Sequence, residues 1–270
     1  MNAMAKDLSG LHPMQIVFFR ALGTFVFIFP YMLYHRVPIV GNHVGVLIAR
    51  ALVGIVSLAT FFICLQRIPL ASAVSIRYLG PVFGAVLAFY FLRERINNWQ
   101  WFSFLVSFSG VIVIKGFDLR IDYVSLALIM TSAVFLGTVF VLIRYLSTRE
   151  HYLTIINYFM VCCMLLGLCF VSSWSMPAPE QWPSVIGIGV FGLIGQVFMT
   201  KAYQITEASV LAPFKYAGLI YALLIGYFFF GETFTLMPMI GIVMIVAGML
   251  LNIYGKRLQT KSDVQQEAST

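Results

Sequence analysis

Residues 69–92 read PLASAVSIRYLGPVFGAVLAFYFL, and residues 207–230 read EASVLAPFKYAGLIYALLIGYFFF. Both stretches are apolar and long enough to cross the hydrocarbon core of a bilayer as an α-helix, which takes about 20 residues. They align without a gap at an offset of 138 residues, the difference between 69 and 207, and the alignment places Arg77 on Lys215. A basic residue inside an apolar helix is costly in lipid, so its recurrence indicates a duplicated membrane-embedded unit.

The same offset holds beyond these two stretches. Identical residues recur at Gln66 and Gln204, Tyr78 and Tyr216, Gly80 and Gly218, Phe91 and Phe229, Glu94 and Glu232, and Gly110 and Gly248. Small residues also occupy every fourth position in both copies, a spacing that lets helices pack closely. These small residues are Gly80, Gly84 and Ala88 in the first copy and Gly218, Ala222 and Gly226 in the second.

The composition fits a protein whose main solvent is lipid. Of the 270 residues, 61% are hydrophobic and 10% are charged, whereas soluble domains carry about 25% charged residues. The apolar runs predict an all-α bundle, because helices satisfy their own backbone hydrogen bonds in lipid. Nine spans are predicted, at 13–34, 44–66, 69–92, 98–114, 123–143, 152–173, 184–203, 207–230 and 235–254.

The repeat predicts two five-helix units, and the odd number of spans inverts the second unit relative to the first. We place the first unit at 1–121, the second at 122–254, and a polar, disordered tail at 255–270. The span 123–143 has no complete counterpart, because the matching positions end near residue 5. We therefore expect the chain to start inside its first helix, through a late start codon or because the protein lacks that span.

Basic residues are distributed unequally between the two sides of the predicted bundle. Basic loops stay in the cytoplasm, so the richer side predicts a multi-pass protein of the inner cell membrane with its C-terminus in the cytoplasm. The richer side collects Arg36, Arg93, Arg95, Arg144, Arg149, Lys256, Arg257 and Lys261, and the other collects Lys6, Arg67, Lys115 and Arg120.

Several short motifs resemble the EamA family of the drug/metabolite transporter superfamily. The first copy carries IPLASAV at 68–74, LGPVF at 79–83, FLRER at 91–95 and SGVI at 109–112. The second copy is similar, with EASV at 207–210, FGET at 230–233 and AG at 247–248. The resemblance implies ten helices, two cytoplasmic chain ends, a central cavity between the repeats and transport of a metabolite. The nine predicted spans depart from that pattern.

The charges inside the predicted spans are all basic, whereas the acidic residues lie outside the spans or at their edges. Intramembrane charges usually face the bundle interior or a wet cavity, so this positive interior predicts an anionic or zwitterionic substrate. The candidate substrate ligands are Arg77, Lys215, Tyr78 and Tyr216. For Arg20 and Arg50, structural anchoring is the alternative to a cavity role, because long side chains can snorkel to the membrane surface.

Prolines occur in the two helices that carry candidate ligands. Pro81 cannot donate a hydrogen bond to the carbonyl of Arg77, and Pro213 cannot donate one to the carbonyl of Ser209. Broken helices can expose backbone groups to a substrate or act as hinges. A static kink is the alternative interpretation of both prolines.

Transport is the function class that the duplication and the resemblance favour. An integral-membrane enzyme is the first alternative, but the interiors of the spans hold no His, Asp or Glu that could act as a base. A non-transporting membrane scaffold is the second. The lack of an intramembrane carboxylate or histidine favours facilitated diffusion or exchange over proton coupling.

The remaining predictions concern partners. The basic residues are scattered between spans without interleaved aromatics, which argues against nucleic-acid binding. No cofactor and no metal site are predicted, since the cysteines lie in apolar runs without metal-ligand spacing. The expected partners are a small-molecule substrate and the lipid bilayer, and a homodimer is left open.

Overall fold

The computed structural model describes residues 1–92, 98–118, 120–205, 208–233 and 235–267, and gives only the backbone at 92, 117, 203, 208–217 and 256–267. Within these ranges the secondary structure is helical, without a strand, which confirms the predicted all-α class. The helices are α1 Asn2–Asp7, α2 Pro13–Tyr34, α3 Val44–Leu65, α4 Leu70–Arg77, α5 Gly80–Leu92, α6 Asn98–Phe117, α7 Tyr123–Leu146, α8 Tyr152–Leu168, α9 Trp182–Ile205, α10 Ala208–Phe230 and α11 Leu236–Glu267.

Helices lie at all nine positions where spans are predicted. Six segments are long and apolar enough to cross a membrane, and α8 and the Gly218–Phe230 part of α10 are shorter apolar helices. The remaining helix, α6, carries buried polar groups at Gln100, Ser103 and Ser107. These polar groups lower the mean hydropathy of α6. The helix tolerates them because they face α11 rather than lipid.

Side-chain caps mark where several helices begin. His12 accepts the Met14 N–H at the start of α2, and Asp122 accepts the Ser125 N–H at 3.1 Å at the start of α7. The hydrogen bonds from Ser125 hold the pKa of the Asp122 carboxyl below its ordinary value. A short polar side chain at this position satisfies a backbone donor that lacks a partner within the helix.

The predicted span 69–92 is divided between α4 and α5 at Tyr78 and Leu79. Here the Leu79 N–H bonds to the carbonyl of Ile76, three residues back, at 3.0 Å. Pro81 has no N–H to donate to the carbonyl of Arg77, so the helical bonding pattern is interrupted beside this arginine. The corresponding helix α10 is continuous from Ala208 to Phe230 and therefore shows no break at position 213.

The tail prediction is wrong in one respect, because α11 continues beyond the membrane span to Glu267. Residues 256–267 read KRLQTKSDVQQE, in which eight of twelve residues are Lys, Arg, Leu, Gln or Glu and none is Gly or Pro. These are residues with good helix propensity, so a helix that is already nucleated in the bundle extends into the polar tail.

Small residues bring helices of the two repeats into close contact at α6 and α11. A Cβ on Gly110 would lie 2.6 Å from the carbonyl oxygen of Gly241, and one on Gly248 would lie 2.7 Å from that of Ser103. The order of these contacts shows that the two helices run antiparallel. At the offset of 138, each contact is also the repeat image of the other.

The four glycines predicted to serve helix packing lie at contacts between or within helices. Gly80 and Gly84 face α7, where their Cβ positions would meet Leu136 and the Gly137 carbonyl oxygen. A Cβ on Gly218 would lie 2.5 Å from the Tyr78 hydroxyl. Gly226 is buried and accepts the backbone N–H of Glu232 at 2.9 Å.

Candidate functional site

Three arginines from different helices of the first repeat lie inside the bundle. Arg20 on α2 and Arg50 on α3 are 5% and 1% exposed. Arg77 is the last residue of α4 and is partly buried beside the break. Both Arg20 and Arg50 are buried among neighbouring helices, so their surroundings are those of charges in the protein interior.

No carboxylate in the described ranges pairs with these three arginines. The ion pairs found there join Lys6 to Glu232, His43 to Glu150 and Arg120 to Asp118, all near helix ends. Among the described residues, the interior therefore holds several positive charges without a negative protein group to balance them.

Aromatic rings supply part of the compensation. The Arg50 guanidinium lies 4.4 Å from the centroid of the Phe159 ring, and the Arg20 guanidinium lies 5.8 Å from the same centroid. Arg77 lies 3.9 Å from the centroid of Phe61. A ring face attracts a cation, but it leaves the N–H groups at the edge of the guanidinium unpaired.

The hydrogen-bond inventory of the cluster is incomplete. Arg20 donates from Nη2 to the Gln196 side-chain oxygen at 3.1 Å, which links α2 to α9. Four other buried nitrogens in the described site have no hydrogen-bond partner: Arg20 Nη1, Arg50 Nε, Arg50 Nη1 and Arg77 Nε. A buried donor left unpaired costs about 1–3 kcal/mol, and more when it is charged. The arrangement can therefore accept anionic oxygens at several points.

Two glycines make room for the cluster. A Cβ on Gly54 would lie 2.9 Å from the Phe159 ring, and a Cβ on Gly192 would lie 3.0 Å from the Arg20 side chain. Position 192 is position 54 shifted by the repeat offset of 138. Sequence reasoning missed Gly54, Gly192, Phe159 and Gln196, although the repeat alignment could have found the two glycines.

The structure describes the side chains of only two of the four predicted substrate ligands, Arg77 and Tyr78. Arg77 lies against the Phe61 ring with its Nε unpaired among the described residues, and the Tyr78 hydroxyl approaches Gly218 of α10. The side chains of Lys215, Tyr216 and Pro213 lie outside the described part of the structure. The predicted pairing of Arg77 with Lys215 across the repeat therefore stays a prediction. A search of the described residues finds no group of His, Cys, Asp or Glu that could hold a metal ion.

Two segments of the sequence, 2–116 and 124–254, match the EamA-like transporter family. This chain belongs to that family. The resemblance inferred from the short motifs is confirmed over nearly the whole length. The helices described above are thus those of a multi-pass membrane transporter, and the relatives are named as transporters rather than as enzymes.

Relatives of this EamA-like transporter carry different names. The pseudopaline exporter CntI of Pseudomonas aeruginosa (strain UCBPP-PA14) is 32% identical over 253 residues, covering 91% of this chain and 88% of the relative. Human solute carrier family 35 member G1 is 26% identical and covers 91% of this chain and 73% of its own. The S-adenosylmethionine uptake transporter of Rickettsia prowazekii is 23% identical, covering 97% of this chain and 90% of the relative.

A solved crystal structure has the same fold. It aligns with a TM-score of 0.71 over 95% of this chain and 93% of its own, at 17% identity. At that identity the likeness concerns the fold alone. The family is shown by the sequence match and the fold by the structural match, and neither match identifies the substrate.

Proposed function

We propose that this protein is a secondary-type transporter of a small anionic metabolite that works by alternating access between two inverted repeats, 1–121 and 122–254. The observation that carries the proposal is the set of buried, unpaired guanidinium nitrogens on Arg20, Arg50 and Arg77. A metabolite with a carboxylate or phosphate group supplies the oxygens that these nitrogens lack. Charged hydrogen bonds of this kind are about twice as strong as neutral ones.

The energetics favour a ligand role over a purely structural one. An ion removed from water costs several kcal/mol unless a partner repays the desolvation. Here the rings of Phe159 and Phe61 offset part of the desolvation cost of the arginines. No carboxylate in the described site offsets the remainder. A zwitterion also supplies the anionic group, but its ammonium needs an acceptor of its own, so a net anion fits this cluster better.

The inverted arrangement is supported by the contact between α6 and α11. These helices occupy equivalent positions in the two repeats and run antiparallel, with contacts that are images of one another at the offset of 138. A twofold axis in the membrane plane relates such a pair, which is the symmetry of inverted-repeat transporters. Arg20 of the first repeat donates a hydrogen bond to Gln196 of the second repeat.

The setting of the proposed transport follows from the distribution of charge. We place the protein in the inner cell membrane with its C-terminus in the cytoplasm, because basic loops are retained on that side. The relatives include a protein named as an exporter and one named as an uptake transporter. The direction of transport is therefore left open in the proposal.

Flux in proteoliposomes tests the proposal. Candidate substrates come from metabolite profiles of cells with and without the gene, followed by thermal-shift screening of the purified protein. We expect saturable uptake of an organic anion, and an at least 100-fold loss of kcat/KM in Arg50→Gln and in Arg77→Gln. Arg149→Gln is the matched control, since Arg149 is exposed at a helix end.

Three results would contradict the proposal. If Arg50→Gln and Arg77→Gln transport the substrate with unchanged KM and kcat, these arginines do not bind it. The absence of flux for every anion, with an intact folded protein, would instead favour a membrane scaffold. Product formation without net flux would indicate an enzyme.

A further inference from the structure

We propose that Glu232 is a positioning residue that closes one end of the transport path, and that it acts on the substrate site through α4. The proposal rests on the alternating-access function above and adds the group that holds one of the two states closed. Glu232 follows α10 and lies at the end of the bundle where α1 ends and α4 begins. We call Glu232, Lys6 and the N-terminus of α4 the Glu232 gate.

The Glu232 carboxylate joins three separate segments. It is 7% exposed, and its Oε1 accepts hydrogen bonds from Lys6 Nζ of α1 and from the Leu70 N–H at 2.7 Å. Leu70 is the first residue of α4, whose N-cap, Pro69, provides no side-chain cap. A negative group at a helix N-terminus pairs with free N–H groups and with the positive end of the helix dipole. Glu232 thus caps a helix of the other repeat.

Lys6 extends the same contact to a fourth segment. Its Nζ also donates to the Ile68 carbonyl at 3.0 Å, in the connection between α3 and α4. The ammonium lies 5.4 Å from the centroid of the Phe230 ring, at the end of α10. Lys6 and Glu232 therefore close this end of the bundle with polar contacts from both repeats, in a setting mostly removed from water.

A left-handed residue directs Glu232 back toward the bundle. Gly231 has a φ of 59°, a conformation that side chains with a Cβ rarely adopt. The turn lets the Glu232 N–H bond to the Gly226 carbonyl at 2.9 Å, which fixes the carboxylate over the end of α10. The second carboxylate oxygen, Oε2, is buried and has no hydrogen-bond partner among the described residues, so it can accept a further donor when the gate rearranges.

Helix α4 connects the gate to the substrate site. The backbone N–H of Leu70 at its start bonds Glu232, and Arg77 at its end is one of the three interior arginines. At 1.5 Å per residue the helix spans about 10 Å between these points. Residues 70–76 are all buried, and the helix ends at the interruption beside Pro81. An anion at Arg77 and a closed gate therefore restrain opposite ends of one short helix.

The consequence is a bias between two states of the transporter. The contacts of Lys6 and Glu232 exist only while this end is closed, because opening separates α1 and α10 from α4. They shift the population toward the state that is open at the opposite end. Removal of the gate should let water reach α4 from the Glu232 end, with or without a substrate.

A labelling experiment tests the gate without any substrate. Ser72 lies in α4 between Leu70 and Arg77 and is completely buried. In a background without the native cysteines, Ser72→Cys is exposed to a membrane-impermeant maleimide from each side of the membrane. We expect Glu232→Gln and Lys6→Met to raise the labelling rate at least tenfold from the Glu232 end.

The controls separate the gate from general damage. Glu180→Gln removes an exposed carboxylate at a loop and should leave labelling unchanged. Lys6→Arg keeps a cation at the gate and should label slowly. Equal labelling rates in all variants, or an equal rise in Glu180→Gln, would overturn the gate. Thermal unfolding of each variant checks that the protein is folded.

Transport kinetics provide a second readout. In Glu232→Gln, the apparent KM should rise at least fivefold for substrate offered from the opposite end, because the binding-competent state is less populated. A merely structural defect lowers the maximal rate from both ends and leaves KM unchanged. Changed labelling without anion transport would keep the gate and refute the proposed substrate. Arginine-dependent anion uptake with unchanged labelling would support the proposed substrate and refute the gate.

Discussion

Arg50 is the residue whose surroundings conflict most with stability. It is 1% exposed, its Nε and Nη1 have no partner in the described structure, and its cationic group is stabilised by the Phe159 ring. Sequences violate local rules mainly at functional sites and compensate elsewhere. Because burial of Arg50 costs free energy of folding, its replacement should raise stability and lower transport.

We therefore expect Arg50→Met to stabilise the protein by about 1–4 kcal/mol, the range found when apolar groups replace buried charges. The same variant should lose transport, because the substrate anion loses its partner. Thermal unfolding in detergent and uptake in proteoliposomes measure the two effects. The control Arg149→Met changes an exposed arginine and should alter neither strongly. A lower unfolding temperature with retained transport would contradict the prediction.

His151 provides a pH-dependent contribution at the start of α8. Its Nδ1 accepts the Leu153 N–H at 3.3 Å, which requires the neutral ring. The side chain is exposed overall, but partial desolvation of its ring lowers the pKa of His151 from its ordinary value of 6.5. Since the unfolded chain binds the proton more tightly, this contribution is complete above pH 6.5 and is lost as the pH falls through the lower folded-state pKa.

The corresponding experiment follows unfolding temperature between roughly pH 5 and pH 8, where histidine titrates. The wild type should lose stability toward the acidic end of this range. His151→Asn also caps a helix but does not titrate there, so its curve should be flatter. Identical slopes for the two proteins would show that His151 is not the group responsible.

At the scale of elements, glycine positions decide how closely helices approach. A Cβ on Gly248 would lie 2.7 Å from the Ser103 carbonyl oxygen and 2.8 Å from the Ser107 backbone nitrogen, so α6 and α11 would have to separate. Around Gly116, also on α6, no described atom outside its own helix backbone lies within 4 Å of the Cβ position. The two glycines therefore look alike in sequence and differ in function.

Gly248→Ala should destabilise the protein by about 1–3 kcal/mol, the usual cost of overpacking. Gly116→Ala should be neutral or stabilise it by up to about 1 kcal/mol, because alanine favours the helix. Unfolding temperatures of the two variants in one detergent provide the comparison. A larger loss in Gly116→Ala than in Gly248→Ala would refute the tight contact between α6 and α11.

At the scale of the whole molecule, the number of helices between two points determines whether they share a side of the membrane. Cys169 follows α8 and is exposed, whereas Cys64 and Cys163 are buried. Three helices, α9, α10 and α11, separate Cys169 from the C-terminal tail. Cys169 and the tail should therefore lie on opposite sides.

With the tail in the cytoplasm, a membrane-impermeant maleimide should label Cys169 in intact cells. A C-terminal epitope tag should become accessible to antibody only after the membrane is permeabilised. Cys169→Ser should abolish the labelling, which controls for the other cysteines. Labelling of Cys169 that appears only in permeabilised cells would invert the predicted orientation.

The amino-acid sequence by itself determined the class, the number of helix positions and the duplication. Apolar runs separated by charged loops require helices in lipid whatever their neighbours are, and the offset that joins Arg77 to Lys215 is a property of the chain. The family motifs follow from local sequence in the same way. The tail is helical, contrary to the prediction, because most of its residues favour a helix despite their polar character.

Only the tertiary structure decided which charged groups meet. The sequence places Arg20 and Arg50 some way inside their spans, and a long side chain can turn toward the surface or the interior from such a position. Packing of α2, α3 and α8 around Phe159 turned both inward. The contact of Lys6 with Glu232 joins residues 226 positions apart. Such contacts depend on how helices are arranged in space, which the local pattern of one helix does not specify.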